Sequence, residues 1–73
     1  MARNVYRVVP DGEDWKVTHA GQTLSTHTNK DDAIETARTV AKANQPSQVV
    51  VHKQDGTIQT EYTYGDDPFP PPG

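Results

Sequence analysis

The chain has no cysteine, and it is poor in large aliphatic and aromatic residues. Without cysteine it can form no disulfide framework, no thiolate zinc site and no thiol nucleophile. Small secreted domains of this size usually need disulfides to be stable, so the expected location is a reducing cytoplasm. The sequence also lacks an apolar signal core at its N-terminus and any run of about 18 apolar residues, so no contact with a membrane is expected.

The 73 residues include 32% hydrophobic residues and carry a formal charge of −3. Leu, Ile, Val and Phe together number 12 of 73, which is below the roughly 20% associated with disorder, but the net charge is low for a disordered chain. One small, marginally stable domain is therefore expected. The acidic balance argues against non-specific binding to nucleic acid, because that affinity comes largely from Lys and Arg neutralising phosphates.

The first third of the chain predicts two or three strands. Residues 4–9 and 15–19 are typical of strands and flank a turn signal rich in Pro, Gly and acidic residues. A weaker two-residue turn, Ala20-Gly21, would lead into a third strand. That turn would pair Val17 with Leu24. One face would then hold Trp15, Val17 and Leu24.

The face of the first strand depends on the length of the loop that follows it. A four-residue loop places Tyr6 and Val8 on the face of Trp15, whereas a five-residue loop places Val5 and Val9 there. We prefer the four-residue loop, because the intervening Arg7, a cation, then points to water.

One amphipathic helix is the clearest prediction. Thr28 is a suitable N-cap, and Asn44 and Pro46 end the helix. Acidic residues precede basic ones along it, as the helix dipole favours. The apolar residues recur at helical spacing: Ala33, Ile34, Ala37, Val40 and Ala41.

A hairpin is predicted after the helix, since Asp55-Gly56 favours a type I′ turn between two strands. One face of this hairpin would lie under the helix and hold Val49, Val51, Lys53, Ile58, Thr60 and Tyr62. The other face is predicted to be solvated and to hold Val50, His52, Gln54, Thr57, Gln59 and Glu61.

These elements predict a single α+β domain over residues 1–62. It would be a small two-layer domain, with an antiparallel sheet of four to five strands (β-β-(β)-α-β-β) and one helix packed on one face. Residues 63–73 would form a Pro-rich C-terminal tail that either packs back on the sheet or binds a partner. Because one helix covers only one face of the sheet, the second face must meet water, the tail or a partner.

Several motifs resemble those of a known family. They are Val-Val-Pro at residues 8–10, the Trp that opens the second strand, the alanine-rich helix, the run at 49–58, and Tyr-Gly-Asp-Asp-Pro at 64–68. Over roughly residues 5–70 the chain resembles the bacterial domain-of-unknown-function family 2188, which more often has Asn where Asp66 stands. The resemblance implies a fold and a bacterial or phage setting, and it implies no activity.

No enzymatic activity and no cofactor are expected. The three histidines, His19, His27 and His52, do not have the spacing of a metal site. The adjacent Asp66 and Asp67 favour a turn before a proline over a catalytic pair, which needs a scaffold that holds two carboxylates across a cleft. The sequence has no glycine-rich phosphate loop and no nucleophile motif.

The expected function is that of a non-enzymatic protein-interaction or self-association module. A partner would contact the uncovered sheet face, the edge strands, or the tail, where Tyr64 and Phe69 are candidate anchors beside a polyproline segment. The alternative is a nucleic-acid-binding accessory domain that uses Arg7, Lys16 and Lys53, although the net charge disfavours it. The expected partner is therefore another protein or a second copy of this chain.

Overall fold

The computed structural model describes residues 3–65, and within them the chain forms five strands and one helix. The strands align in the order β3-β2-β1-β4-β5, and the helix lies across one face of the sheet. This confirms the predicted α+β class with one helix on one face. The elements are β1 (Asn4–Asp11), β2 (Asp14–His19), β3 (Gln22–His27), α1 (Lys30–Ala43), β4 (Ser47–His52) and β5 (Ile58–Tyr64).

The sheet is mixed, because its central pair of strands, β1 and β4, is parallel. The other three neighbouring pairs are antiparallel, as was expected for the whole sheet. Two consecutive hairpins make β3 run in the same direction as β1. The helix then returns the chain to its starting end, so β4 also runs in the direction of β1. Since β2 already occupies one side of β1, β4 pairs with the other.

The helix begins one residue later than its predicted cap would place it. Asn29 is the N-cap, and its carbonyl oxygen accepts a hydrogen bond from the Ala33 N–H at 3.2 Å. At the other end, the Asn44 side chain donates to the Val40 carbonyl at 2.8 Å. The helix has 14 residues, of which six are charged. No helix among residues 3–65 is long and apolar enough to cross a membrane.

The core lies between α1 and the sheet. The helix contributes three fully buried alanines, whose small side chains let it lie close to the strands: Ala33, Ala37 and Ala41. The sheet contributes Tyr6, Val8, Val17, Val49 and Val51. The preferred face of the first strand is therefore confirmed, since Tyr6 and Val8 are buried while Arg7 is exposed.

A β-bulge between β2 and β3 changes the position of Leu24. Near the turn the pairing is the predicted one, but the register shifts between Val17 and Thr18. Val17 therefore pairs with Ser25, and Leu24 becomes the extra residue of the bulge. Leu24 is 46% exposed, and it is not one of the described side chains that pack against the core. The prediction that Leu24 shares the core face with Trp15 and Val17 is wrong.

A second bulge, between β4 and β5, has the same effect on Ile58. Val51 pairs with Thr60 as predicted, but the register then shifts and His52 pairs with Ile58. Ile58 thus shares the face of His52, which points away from the helix, and it is 52% exposed. The prediction that Ile58 lies under the helix is wrong, because one extra residue moves a strand side chain to the opposite face.

The hairpin loop explains this shift. Gly56 has a φ of +93° and donates its N–H to the Lys53 carbonyl at 2.9 Å, while Lys53 donates to the Thr57 carbonyl at 2.6 Å. Asp55 has no positive φ, so the turn is not the predicted type I′. It is a longer turn that closes with a glycine bulge. The type I′ requirement of two positive φ values is met instead at Ala20 and Gly21.

Candidate interaction surface

The side of the sheet that faces away from α1 is here called the open face, because no helix or strand among residues 3–65 covers it. Its residues alternate with the core residues along each strand. They are Val5, Arg7, Val9, Asp11, Asp14, Lys16, Thr18, Thr23, Thr26, Gln48, Val50, His52, Ile58, Glu61 and Thr63. Leu24, the bulge residue of the edge strand β3, is exposed next to Thr23.

An aliphatic floor lies at the centre of the open face. Val50 is only 5% exposed, although its face was predicted to be solvated. It pairs with Arg7 on one side and Glu61 on the other, and these long side chains flank it. Gln48 donates to Glu61 at 2.6 Å beside it. Toward the rim the aliphatic side chains are half-buried or exposed: Val5, Val9, Leu24 and Ile58.

Arg7 stands at this centre and is held by His52. A guanidinium nitrogen of Arg7 lies 3.2 Å from His52 Nε2, and His52 Nδ1 lies 2.9 Å from the Gly56 carbonyl oxygen. A carbonyl only accepts hydrogen bonds, so Nδ1 carries the proton and Nε2 accepts from Arg7. The hairpin loop thus orients His52, and His52 orients the exposed guanidinium.

The structure brings together two of the predicted binding residues. Arg7 and Lys16 share the open face on neighbouring strands, since Lys16 pairs with Val9, two residues beyond Arg7. Lys53 is exposed in the hairpin loop beyond the end of β4. Phe69 lies outside the described residues, as does the rest of the predicted tail after residue 65.

Tyr64, the remaining candidate, belongs to the other side of the sheet. It packs against the core, and its hydroxyl accepts a hydrogen bond from Arg38 Nε at 2.7 Å. This bond raises the pKa of Arg38 above its ordinary value. Every basic residue of α1 lies over an aromatic ring of the sheet: Lys30 over Trp15 at 4.5 Å, Arg38 over Tyr62 at 4.5 Å and Lys42 over Tyr64 at 5.7 Å. Tyr64 is thus part of the contact between helix and sheet.

The histidines have separate surroundings. His19 stacks on the ring of Tyr6 with centroids 4.6 Å apart, and His27 Nε2 lies 2.9 Å from Ser25 Oγ. His52 is on the opposite side of the sheet. No group of three or more His, Asp or Glu side chains in the described part of the chain is arranged to hold a metal ion.

Two shallow grooves flank the helix on the covered side of the sheet. The groove toward β3 has a volume of about 390 Å³ and includes His27 and Glu35. The groove toward β5 has a volume of about 410 Å³ and includes Arg38 and Tyr62. Both grooves open broadly to solvent.

Sequence reasoning missed three features of the open face: His52 as the partner of Arg7, and the exposure of Leu24 and Ile58. The alternation of Val5, Arg7 and Val9 is the signal in the sequence from which an aliphatic surface around a cation could have been predicted. The contact with His52 could not be seen in the sequence, because it depends on the parallel pairing of β1 with β4.

By its fold, the chain belongs to the class of small α+β proteins in which one helix covers one face of a five-stranded sheet. The chain matches a family described as "Uncharacterized protein conserved in bacteria (DUF2188)" over residues 6–64. A curated relative, "Uncharacterized protein YycD" of Bacillus subtilis (strain 168), is 35% identical over 63 residues, which cover 81% of this chain and 94% of the relative. No solved structure gives a significant match. The chain belongs to the DUF2188 family, as its motifs indicated.

Proposed function

We propose that this protein is a non-enzymatic interaction module that docks a protein partner on its open face. The observation that carries the proposal is the composition of that face. Leu24 and Ile58 are about half exposed, and further aliphatic side chains surround an exposed arginine. Apolar side chains grouped on one exposed face, with polar groups among them, are typical of protein contact sites. We place this activity in the cytoplasm, on the ground that the chain has no cysteine.

The open face is a better docking surface than the edges of the sheet. Each edge strand, β3 and β5, takes part in a bulge. Bulges interrupt the regular row of backbone groups that another strand would need for pairing, and natural sheets use them to protect their edges. The bulge in β5 also turns Ile58 toward the open face, and the bulge in β3 leaves Leu24 exposed.

Nucleic-acid binding is not favoured by a specific observation. Sheets that bind single strands stack bases on exposed aromatic rings. Here the aromatic rings of the described strands lie on the helix side: Tyr6, Trp15, Tyr62 and Tyr64.

Site-specific photocrosslinking in a bacterial host tests this proposal. A photoreactive phenylalanine derivative replaces Thr18 on the open face in one strain and Thr39 on the outer surface of α1 in the other. We expect a crosslinked protein adduct from position 18 and none from position 39. Crosslinking from position 39 alone, or from neither position, would overturn the proposal. The mass of the adduct separates a second copy of the chain from another protein.

A further inference from the structure

We propose that Arg7 is the anchor of the open face and binds a carboxylate of an acidic protein segment. This inference rests on the proposed function, because it names the kind of partner that the same face would take. The guanidinium has five N–H donors in a planar fork, and that fork matches the two oxygens of a carboxylate. Among the described residues its side chain makes one hydrogen bond, to His52. The other donors are available to a partner.

The surroundings of Arg7 strengthen a contact with a carboxylate. Val50 lies beside it and is almost fully buried, while Val5 and Val9 lie before and after it on the same face. A partner that covers these side chains excludes water from the guanidinium, and charge-assisted hydrogen bonds are stronger in such surroundings. Because His52 already holds the Arg7 side chain in place, binding costs less side-chain entropy.

The distribution of charge favours an acidic partner. Arg7 lies at the centre of the open face, and Lys16 lies beside Val9 on the neighbouring strand. Asp11 and Asp14, in contrast, pair with each other at the rim next to the β1–β2 turn. Glu61, on the edge strand, is already bonded to Gln48. The other acidic residues of the described chain lie at the rim of the face, in the loops or on the helix: Asp11, Glu13, Asp14, Asp31, Asp32, Glu35 and Asp55. A basic centre in a protein of net charge −3 complements an acidic surface.

A second copy of the chain fits this face less well. The arginine is on β1, the middle strand of the five. In a symmetric face-to-face dimer with aligned strands, β1 packs on β1 of the second copy, and the two Arg7 side chains meet. Like charges brought together in a buried contact are unfavourable. We therefore commit to an acidic segment of another protein as the occupant.

Titration of the full chain with three synthetic octapeptides tests this assignment. The peptides alternate valine with glutamate, glutamine or lysine, and amide chemical shifts give each Kd. We expect the glutamate peptide to bind at least about tenfold more tightly than the other two. Arg7→Gln should weaken that binding by roughly tenfold, the loss that corresponds to one charge-assisted hydrogen bond. Lys42→Gln, with the same change of charge on the helix, should leave it within about twofold of the wild-type value.

Each alternative outcome of the titration contradicts the assignment in a different way. Equal binding of all three peptides to the open face would overturn the assignment to Arg7 and leave the interaction module standing. Binding to no peptide would overturn the assignment, while the photocrosslinking result would decide the proposed function separately. If an oligothymidylate octamer shifts the same amide resonances at a lower concentration than the glutamate peptide does, the partner of the open face is a nucleic acid and the acidic segment is excluded. If Arg7→Gln and Lys42→Gln weaken binding of the glutamate peptide equally, the affinity depends on net charge and the assignment to Arg7 is overturned.

Discussion

Ile58 and Val51 allow a direct test of the bulge between β4 and β5. Both are β-branched residues of the same hairpin, and a regular hairpin would place both under the helix. In the structure Val51 is fully buried, whereas Ile58 is 52% exposed on the opposite face. Truncation of each to alanine should therefore have very different effects on the free energy of unfolding.

The magnitudes follow from the burial of each side chain. Val51→Ala removes two carbon atoms from the core, which costs about 1.6 kcal/mol in transfer free energy, and the cavity raises the total to about 2–3 kcal/mol. Ile58→Ala removes three carbon atoms, but about half of the side chain is in water already, so the loss should be about 1 kcal/mol. A buried isoleucine would instead lose about 2–5 kcal/mol.

Urea unfolding followed by the fluorescence of Trp15 measures both losses. A domain of this size has a total stability of roughly 4–11 kcal/mol, so both variants should fold. We expect the Val51→Ala midpoint to fall clearly below that of Ile58→Ala, with unchanged slopes. If Ile58→Ala proves as destabilising as Val51→Ala or more so, Ile58 is in the core and the bulge is absent.

Four further predictions concern the turns and the partly buried aromatic residue. Trp15→Ala should cost about 3 kcal/mol, since the ring packs partly buried against the core, and a wild-type melting curve would contradict that packing. Gly56→Val should cost about 1–3 kcal/mol through backbone strain alone, because no atom lies within 4 Å of the added Cβ; an unchanged urea midpoint would show that φ is not positive there. Ala20→Asn should raise the melting temperature, because Ala20 has a φ of +54° that Asn tolerates better, and a lower value would contradict this turn geometry. Asp55 accepts hydrogen bonds from the Thr57 hydroxyl and N–H, which lower the pKa of Asp55 below its ordinary value of 3.8. The carboxylate therefore stabilises the fold fully above pH 3.8, and this stabilisation is lost as the pH falls through the lower pKa of the folded state. Asp55→Asn should be less stable than wild type at pH 7 and approach it in strongly acidic solution, and a difference in urea midpoint that does not change with pH would exclude this linkage.

Much of the fold could be predicted because local signals and burial agree. Ala33, Ala37 and Ala41 recur at helical spacing, and they are the fully buried residues of α1. The choice between the two faces of β1 was settled by placing Arg7 in water, and the structure has Tyr6 and Val8 in the core. The pairing of β1 with β4 is a long-range contact that leaves no local pattern in either strand.

The errors at Leu24 and Ile58 have one physical cause. Each bulge adds a single residue, and the side-chain period of a strand is two, so every residue beyond the bulge changes face. Leu24 and Ile58 were therefore assigned to the core, although Leu24 is an exposed bulge residue and Ile58 belongs to the open face. Val50 was assigned to solvent, because the sequence could not show that β1 lies beside it. The composition of the open face could be described only once these pairings were known.

The valine methyl groups provide the most direct test that the open face binds a partner. The eight valines report on separate parts of the molecule. Val5, Val9 and Val50 lie on the open face, four others lie in the core, and Val40 lies on α1 beside the groove toward β3. In a methyl-labelled sample titrated with the glutamate octapeptide, we expect the resonances of Val5, Val9 and Val50 to shift first and furthest. Shifts confined to Val40 would move the binding site to the helix and contradict the account.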